Sequence, residues 1–153
     1  MGLFVGLSVI AFLSLYGSIW CFTLASIGTY SYVVIIMPMV GLGTAYLAVR
    51  CLAGVKTTSC GTHHFLELYH YEDDIISEID TAGKTLASVL TIGLGGSAGL
   101  EDPSLLLGGG IASPLCQRLN IRREQLKLNL LAGAAAGVSA VFKAPLTGIL
   151  YVL

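Results

Sequence analysis

The first 49 residues of this chain contain no Asp, Glu, Lys, Arg or His. A helix or sheet of a water-soluble domain presents a polar face, and a stretch this long without a charge has none to present. About 20 apolar residues suffice to cross roughly 30 Å of hydrocarbon, so the segment has room for two crossings. The whole chain agrees, at 55% hydrophobic and 11% charged over 153 residues, against about 25% charged in soluble domains. A net charge of −1 leaves no polybasic footprint, and no nucleic-acid partner is expected.

Met1 leads directly into an apolar run with no basic flank, which reads as mature structure rather than a cleaved leader. Helices are predicted over about 2–22 and 31–52, separated by the turn-prone stretch from Ser26 to Tyr30, with Trp20, Tyr30 and Tyr32 as an interfacial belt. Pro38 and Gly41 inside the second run are tolerable in a membrane helix. Arg50 and Lys56, and later Arg118, Arg122, Arg123 and Lys127, belong on the cytoplasmic side by the positive-inside rule. The N-terminus is therefore expected inside a multi-pass integral protein, with the cell membrane as its site.

Residues 61–70 are too short to span. Further helices are expected over 77–94, 103–119, 124–142 and 146–153, the last breaking off in mid-turn, so the chain reads as one truncated transmembrane domain over 1–153. Short apolar segments broken by Gly and Pro are what transporters place around a midplane site, where discontinuous helices aim their N-termini at an anion. The four cysteines, Cys21, Cys51, Cys60 and Cys116, show no paired spacing and say little about redox compartment.

The densest chemistry lies in Gly93 to Ser113, GLGGSAGLEDPSLLLGGGIAS. Asp102 followed by Pro103 predicts a helix start, with Asp as N-cap and Pro at the first helical position. Glu101 then sits just before a helix N-terminus, approached by Gly93, Gly95, Gly96 and Gly99, whose lack of side chains lets backbone N–H groups turn toward a small anion. An acidic residue at the bilayer centre costs about 2.5–3.5 kcal/mol even on a lenient scale, which favours a functional role. The plainer alternative is that Glu101 and Asp102 cap the helix from an aqueous vestibule.

Gly99-Leu100-Glu101-Asp102-Pro103 resembles the glutamate-bearing G-R-E-G-P motif of the CLC family of chloride channels and chloride/proton antiporters. Leu107 to Ile111 (LGGGI) continues the likeness. Gly133 to Leu150 is similar to that family's small-residue helix and F-N-A-P-L-like corner. Ser59-Cys60-Gly61-Thr62 lies where its G-S-G-I-P or G-P-G-T type loop would fall, with Cys60 41 residues before Glu101.

The resemblance implies an all-α, polytopic membrane helical bundle with broken and re-entrant helices, the first inverted repeat of a CLC-type fold. It implies a chloride path, with Ser59, Cys60, Gly61 and Thr62 at a central site and Gly99, Leu100, Asp102 and Pro103 around an outer one. Glu101 would be the gate and external proton acceptor, opening the path when protonated, and backbone amides after it would hold the anion. Chloride is the ligand, with no other cofactor. Protons, membrane lipid, voltage gating and a homodimer in the full-length protein are implied likewise, and the inner proton-transfer glutamate and second repeat would fall beyond Leu153. The chain alone is expected not to conduct.

Three departures bear on this. Leu100 replaces the motif's arginine and Asp102 its second glycine, which removes a positive charge and adds a negative one. Cys60 replaces a hydroxyl or proline with a weaker donor. Lys143 stands where an asparagine-like residue is usual, and either offsets Asp102 or snorkels from a helix end.

Cys60, His63, His64 and His70 match no zinc template, and Gly133-x-x-x-Gly137 reads as intramolecular packing. No Ser/His/Asp set, P-loop or dinucleotide fingerprint is visible, so no enzyme is expected. The rival functional reading is a non-transporting remnant of the family, and a metal-dependent membrane enzyme stands third.

Overall fold

Backbone in hydrocarbon has no water to bond to and must satisfy itself, which favours continuous helix. The protein is accordingly an all-α membrane bundle. Its computed structural model describes residues 2–29, 32–53, 62, 78–119 and 123–152, and among them no strand occurs. The helices are α1 (Gly2–Thr29), α2 (Val33–Ala48), α3 (Glu78–Gly93), α4 (Glu101–Arg118), α5 (Arg123–Phe142) and α6 (Pro145–Val152), with a π-helical turn over Val49–Ala53 after α2. Three helical stretches, Gly2–Gly28, Val33–Cys51 and Gln125–Phe142, are long and apolar enough to cross a membrane.

The turn expected from Ser26 onward does not interrupt α1, which continues to Thr29. Residues that end helices in water compete for backbone groups from outside the helix. Here Ser26 Oγ instead donates to the Phe22 carbonyl at 2.9 Å, within the same helix. The outward faces of α1 and α2 are apolar and open, with Leu3 78% and Ile35 71% exposed, as lipid-facing surfaces must be.

Inward, Val5, Val9 and Phe12 of α1 pack with Val89 of α3 and Leu107 of α4. Leu105 of α4 and Leu130, Ala134 and Val138 of α5 form a second cluster, against which Val152 of α6 packs. Between these clusters α4 is buried without a break from Pro103 to Gly110. Three successive glycines, Gly108 to Gly110, each cost a water-exposed helix about 1 kcal/mol relative to Ala. Close approach explains Gly108, and likewise Gly110, where a Cβ would collide with the Thr81 side chain. A Cβ at Gly108 would collide with the Gly133 carbonyl, one at Gly133 would lie 2.6 Å from the Gly108 carbonyl oxygen, and one at Gly137 would strike the Ser104 carbonyl. The Gly133-x-x-x-Gly137 pattern is thus a seam between α4 and α5 inside the chain.

Arg118 at the end of α4 pairs with Glu78 at the start of α3 at 3.2 Å, so these two helices run antiparallel. At their other ends, Thr23 of α1 donates its hydroxyl to the Gly93 carbonyl at 2.8 Å. Gly95, with φ +94°, then reverses the chain, and the Gly96 N–H bonds the Thr91 carbonyl at 2.8 Å, a Schellman-type closure of α3. The start of the loop into α4 is therefore fixed.

The corner between α5 and α6 is less comfortable. Lys143 adopts a left-handed φ of +54°, a conformation that strains a residue with a Cβ by about 1–2 kcal/mol. Lys143→Gly is expected to stabilise the protein by about 1 kcal/mol, read as a higher midpoint of thermal unfolding in detergent. Lys143 is exposed at this helix end and does not line the cleft that contains Asp102.

Candidate functional site

The first helical hydrogen bond of α4 runs from the Ser104 N–H to the Leu100 carbonyl at 3.2 Å. Leu100 is thus the N-cap, with no side-chain cap bond, and Asp102 is not the cap its sequence position suggests. Glu101 and Asp102 both lie in the first turn. Pro103 carries no N–H, and that of Ser104 is used by Leu100. The amides preceding the first helical bond are those of Glu101 and Asp102, where the helix contributes roughly half a positive charge.

Asp102 fails to cap because its carboxylate has another partner. Thr62 Oγ1 donates a hydrogen bond to Asp102 Oδ1 across 40 residues of sequence. Thr62 and the α4 N-terminus, assigned to two neighbouring anion subsites from the sequence, are therefore brought together. Ser59, Cys60 and Gly61 lie outside the described residues, as do His63, His64 and His70. Among the described residues no group of three or more His, Cys, Asp or Glu could hold a metal.

Glu101 is half-buried. Its side chain turns back over Gly99, where an added Cβ would meet the Glu101 carboxylate. Since the obstructed atoms are the far end of a flexible side chain, Gly99→Ala is expected to change stability by less than about 0.5 kcal/mol. It would nevertheless push the carboxylate out of its present position. An unchanged midpoint of thermal unfolding in detergent is the expected signature.

Glu101, Asp102 and Gly99 line a cleft of about 350 Å³, together with Pro103 and Leu106 of α4 and with Lys84, Ser88 and Thr91 of α3. Lys84 is 8% exposed. Sequence reasoning did not single it out, although a signal was there, since it is the only basic residue between 77 and 94 and an intramembrane charge is a functional candidate by default. A larger cavity of about 500 Å³ lies near the opposite end of α4, between α1, α3 and α4. Phe12, Leu15, Val89 and Leu107 give it an apolar lining, and neither Glu101 nor Asp102 reaches it.

A buried helix whose N-terminus carries two carboxylates in a mostly apolar cleft fits the ion-pathway class of membrane protein. The chain belongs to the voltage gated chloride channel family, whose model matches residues 41–153. It is 28% identical over 125 residues to a chloride/fluoride channel protein of Pseudomonas syringae pv. tomato, covering 80% of this chain and 26% of that protein. It is 39% identical over 71 residues to the H(+)/Cl(−) exchange transporter ClcA of Citrobacter koseri, covering 46% of this chain and 15% of the transporter. The transporter of the same name from Salmonella arizonae is 38% identical over 71 residues. The chain thus spans about a quarter or less of the length of these relatives. No solved structure matches it.

Proposed function

We propose that this chain supplies part of a chloride pathway through a membrane and that Glu101 is its gate. The observation that carries the reading is the position of the Glu101 carboxylate, half-buried in the first turn of α4 and turned back over Gly99 beside that helix end. An ionised carboxylate there competes with a diffusible halide for the same positive helix end. Once protonated it loses that attraction and can leave.

Under this reading chloride is the transported ligand, and protons take part through Glu101. Thr62 contributes a hydroxyl near the inner side, and the Glu101 and Asp102 amides form the outer seat, bounded by Gly99, Leu100 and Pro103. Ser59, Cys60 and Gly61 complete the inner seat, the N-terminus lies in the cytoplasm and the full-length protein acts as a homodimer in the cell membrane. Family membership and the names of the relatives support the substrate class. The test is chloride efflux from liposomes holding the complete gene product, followed against pH for the parent and for Glu101→Gln.

A second reading draws on a specific observation. The Thr62 hydroxyl is already given to Asp102, and Leu100 brings no charge, which is what a remnant that had lost anion binding would look like. Flux that is absent, or indifferent to Glu101, would establish it.

A further inference from the structure

The charges facing the cleft do not favour an anion unless one of them is counted that sequence reasoning passed over. Among the described residues, the ionisable side chains lining it are Glu101, Asp102 and Lys84. With Glu101 protonated and swung away, Asp102 remains at the helix end with a full negative charge. That outweighs the roughly half positive charge of the helix itself. Leu100 offers no compensation. Without a further positive group a halide entering this space would be repelled.

We propose that Lys84 is the anion-affinity determinant of this site, its ammonium offsetting Asp102 so that a halide can occupy the N-terminus of α4 once Glu101 withdraws. The inference rests on the chloride-pathway reading above and adds to it the residue that sets how tightly the anion is held. Lysine is rarely buried to this degree unless paired or functional. Lys84 projects from the middle of α3, the helix anchored by Thr23 at one end and by the Glu78–Arg118 pair at the other. The helix that carries it is thus fixed along the cleft wall. Unlike Glu101, it sits on a helix facing the site rather than in the first turn of α4, so it stays when the gate moves.

The test is a calorimetric chloride titration of the complete gene product in detergent, in a Glu101→Gln background that leaves the seat open. Lys84→Met is expected to weaken chloride binding by roughly ten- to thirtyfold, the effect of losing one unit charge about 8–12 Å away at an effective dielectric near 20. Lys84→Arg keeps the charge and should stay within about threefold of the parent. Asp102→Gly should tighten binding, and Lys84→Met combined with Asp102→Gly should return affinity to near the parent value.

The contrast between Lys84→Arg, which keeps the charge, and Lys84→Met, which keeps the unbranched stem and loses the charge, separates charge compensation from a merely structural lysine. Unchanged affinity in Lys84→Met, or a double variant as weak as the single, overturns the proposal. Should Lys84→Met fail to fold, the Asp102→Gly variant still decides, because unchanged or weaker binding there is incompatible with the charge balance. If Glu101→Gln itself binds no chloride, the chloride-pathway reading falls with it. If it binds chloride and only the Lys84 and Asp102 variants disobey, the Lys84 assignment falls alone.

Discussion

Glu101→Gln is expected to leave chloride efflux flat across pH, at the level the parent protein reaches only under acid conditions. Under the proposed gate, the carboxylate form occupies the α4 N-terminus and the protonated form leaves it. Flux should therefore rise as pH falls. While the protonated fraction is small, a gate that needs one proton gives about a tenfold rise per pH unit. Glutamine keeps the size and the hydrogen-bonding capacity of the protonated side chain but cannot ionise, so the dependence disappears and any proton exchanged for chloride disappears with it. Asp102 provides an internal check. It is the other carboxyl at this helix end, and a shallow dependence surviving in Glu101→Gln but lost on adding Asp102→Gly would trace to it. A Glu101→Gln profile as steep as the parent's would remove Glu101 from the gate altogether.

Gly137→Val is expected to prevent folding or to lower stability by about 3 kcal/mol or more, the upper range for overpacking. The obstructing atom is the Ser104 carbonyl oxygen, with the Gly108 Cα 3.3 Å from the site of the new Cβ. Both belong to backbone that cannot rotate aside as a side chain would. Ser104 is itself held by its hydroxyl bond to the Glu101 carbonyl at 2.7 Å, so the strain would reach the first turn of α4. Ala132→Val on the same helix is the control, since Ala132 is exposed and the same substitution there should be close to neutral. Size-exclusion profiles and thermal unfolding of the detergent-solubilised variants distinguish the two, and equal midpoints would mean that the α4–α5 seam is looser than its geometry implies.

Much of the architecture was legible because bilayer helices announce themselves by unbroken apolar runs, as α1 and α2 do. The close packing at Gly133 and Gly137 was legible for a related reason, since small residues four apart leave a groove wherever two helices must meet. What composition could not convey was where helices stop. Ser26 and Gly28 signal a turn in water, yet α1 runs through both because helical hydrogen bonding is the only satisfaction hydrocarbon allows. The start of α4 was misjudged for another reason. Asp102 has the sequence context of a cap, but a contact from 40 residues upstream, the Thr62 hydroxyl, claims its carboxylate. No local pattern encodes such a partner. Glu101 was singled out as a candidate from its neighbours in sequence, whereas Lys84, 17 residues earlier, joins the same cleft only through the antiparallel return of α3 against α4.

The continuous burial of α4 from Pro103 to Gly110 also bears on how quickly such a gate can work. A helix wedged on every side, with glycine backbones in contact along one seam, has little freedom to tilt or slide. The moving part at its tip is then one side chain of a few rotatable bonds, whose swings belong to the picosecond-to-nanosecond regime rather than to the microseconds and longer of domain motion. On that footing the pace of opening is set by how often a proton arrives, and buffer concentration becomes a kinetic variable.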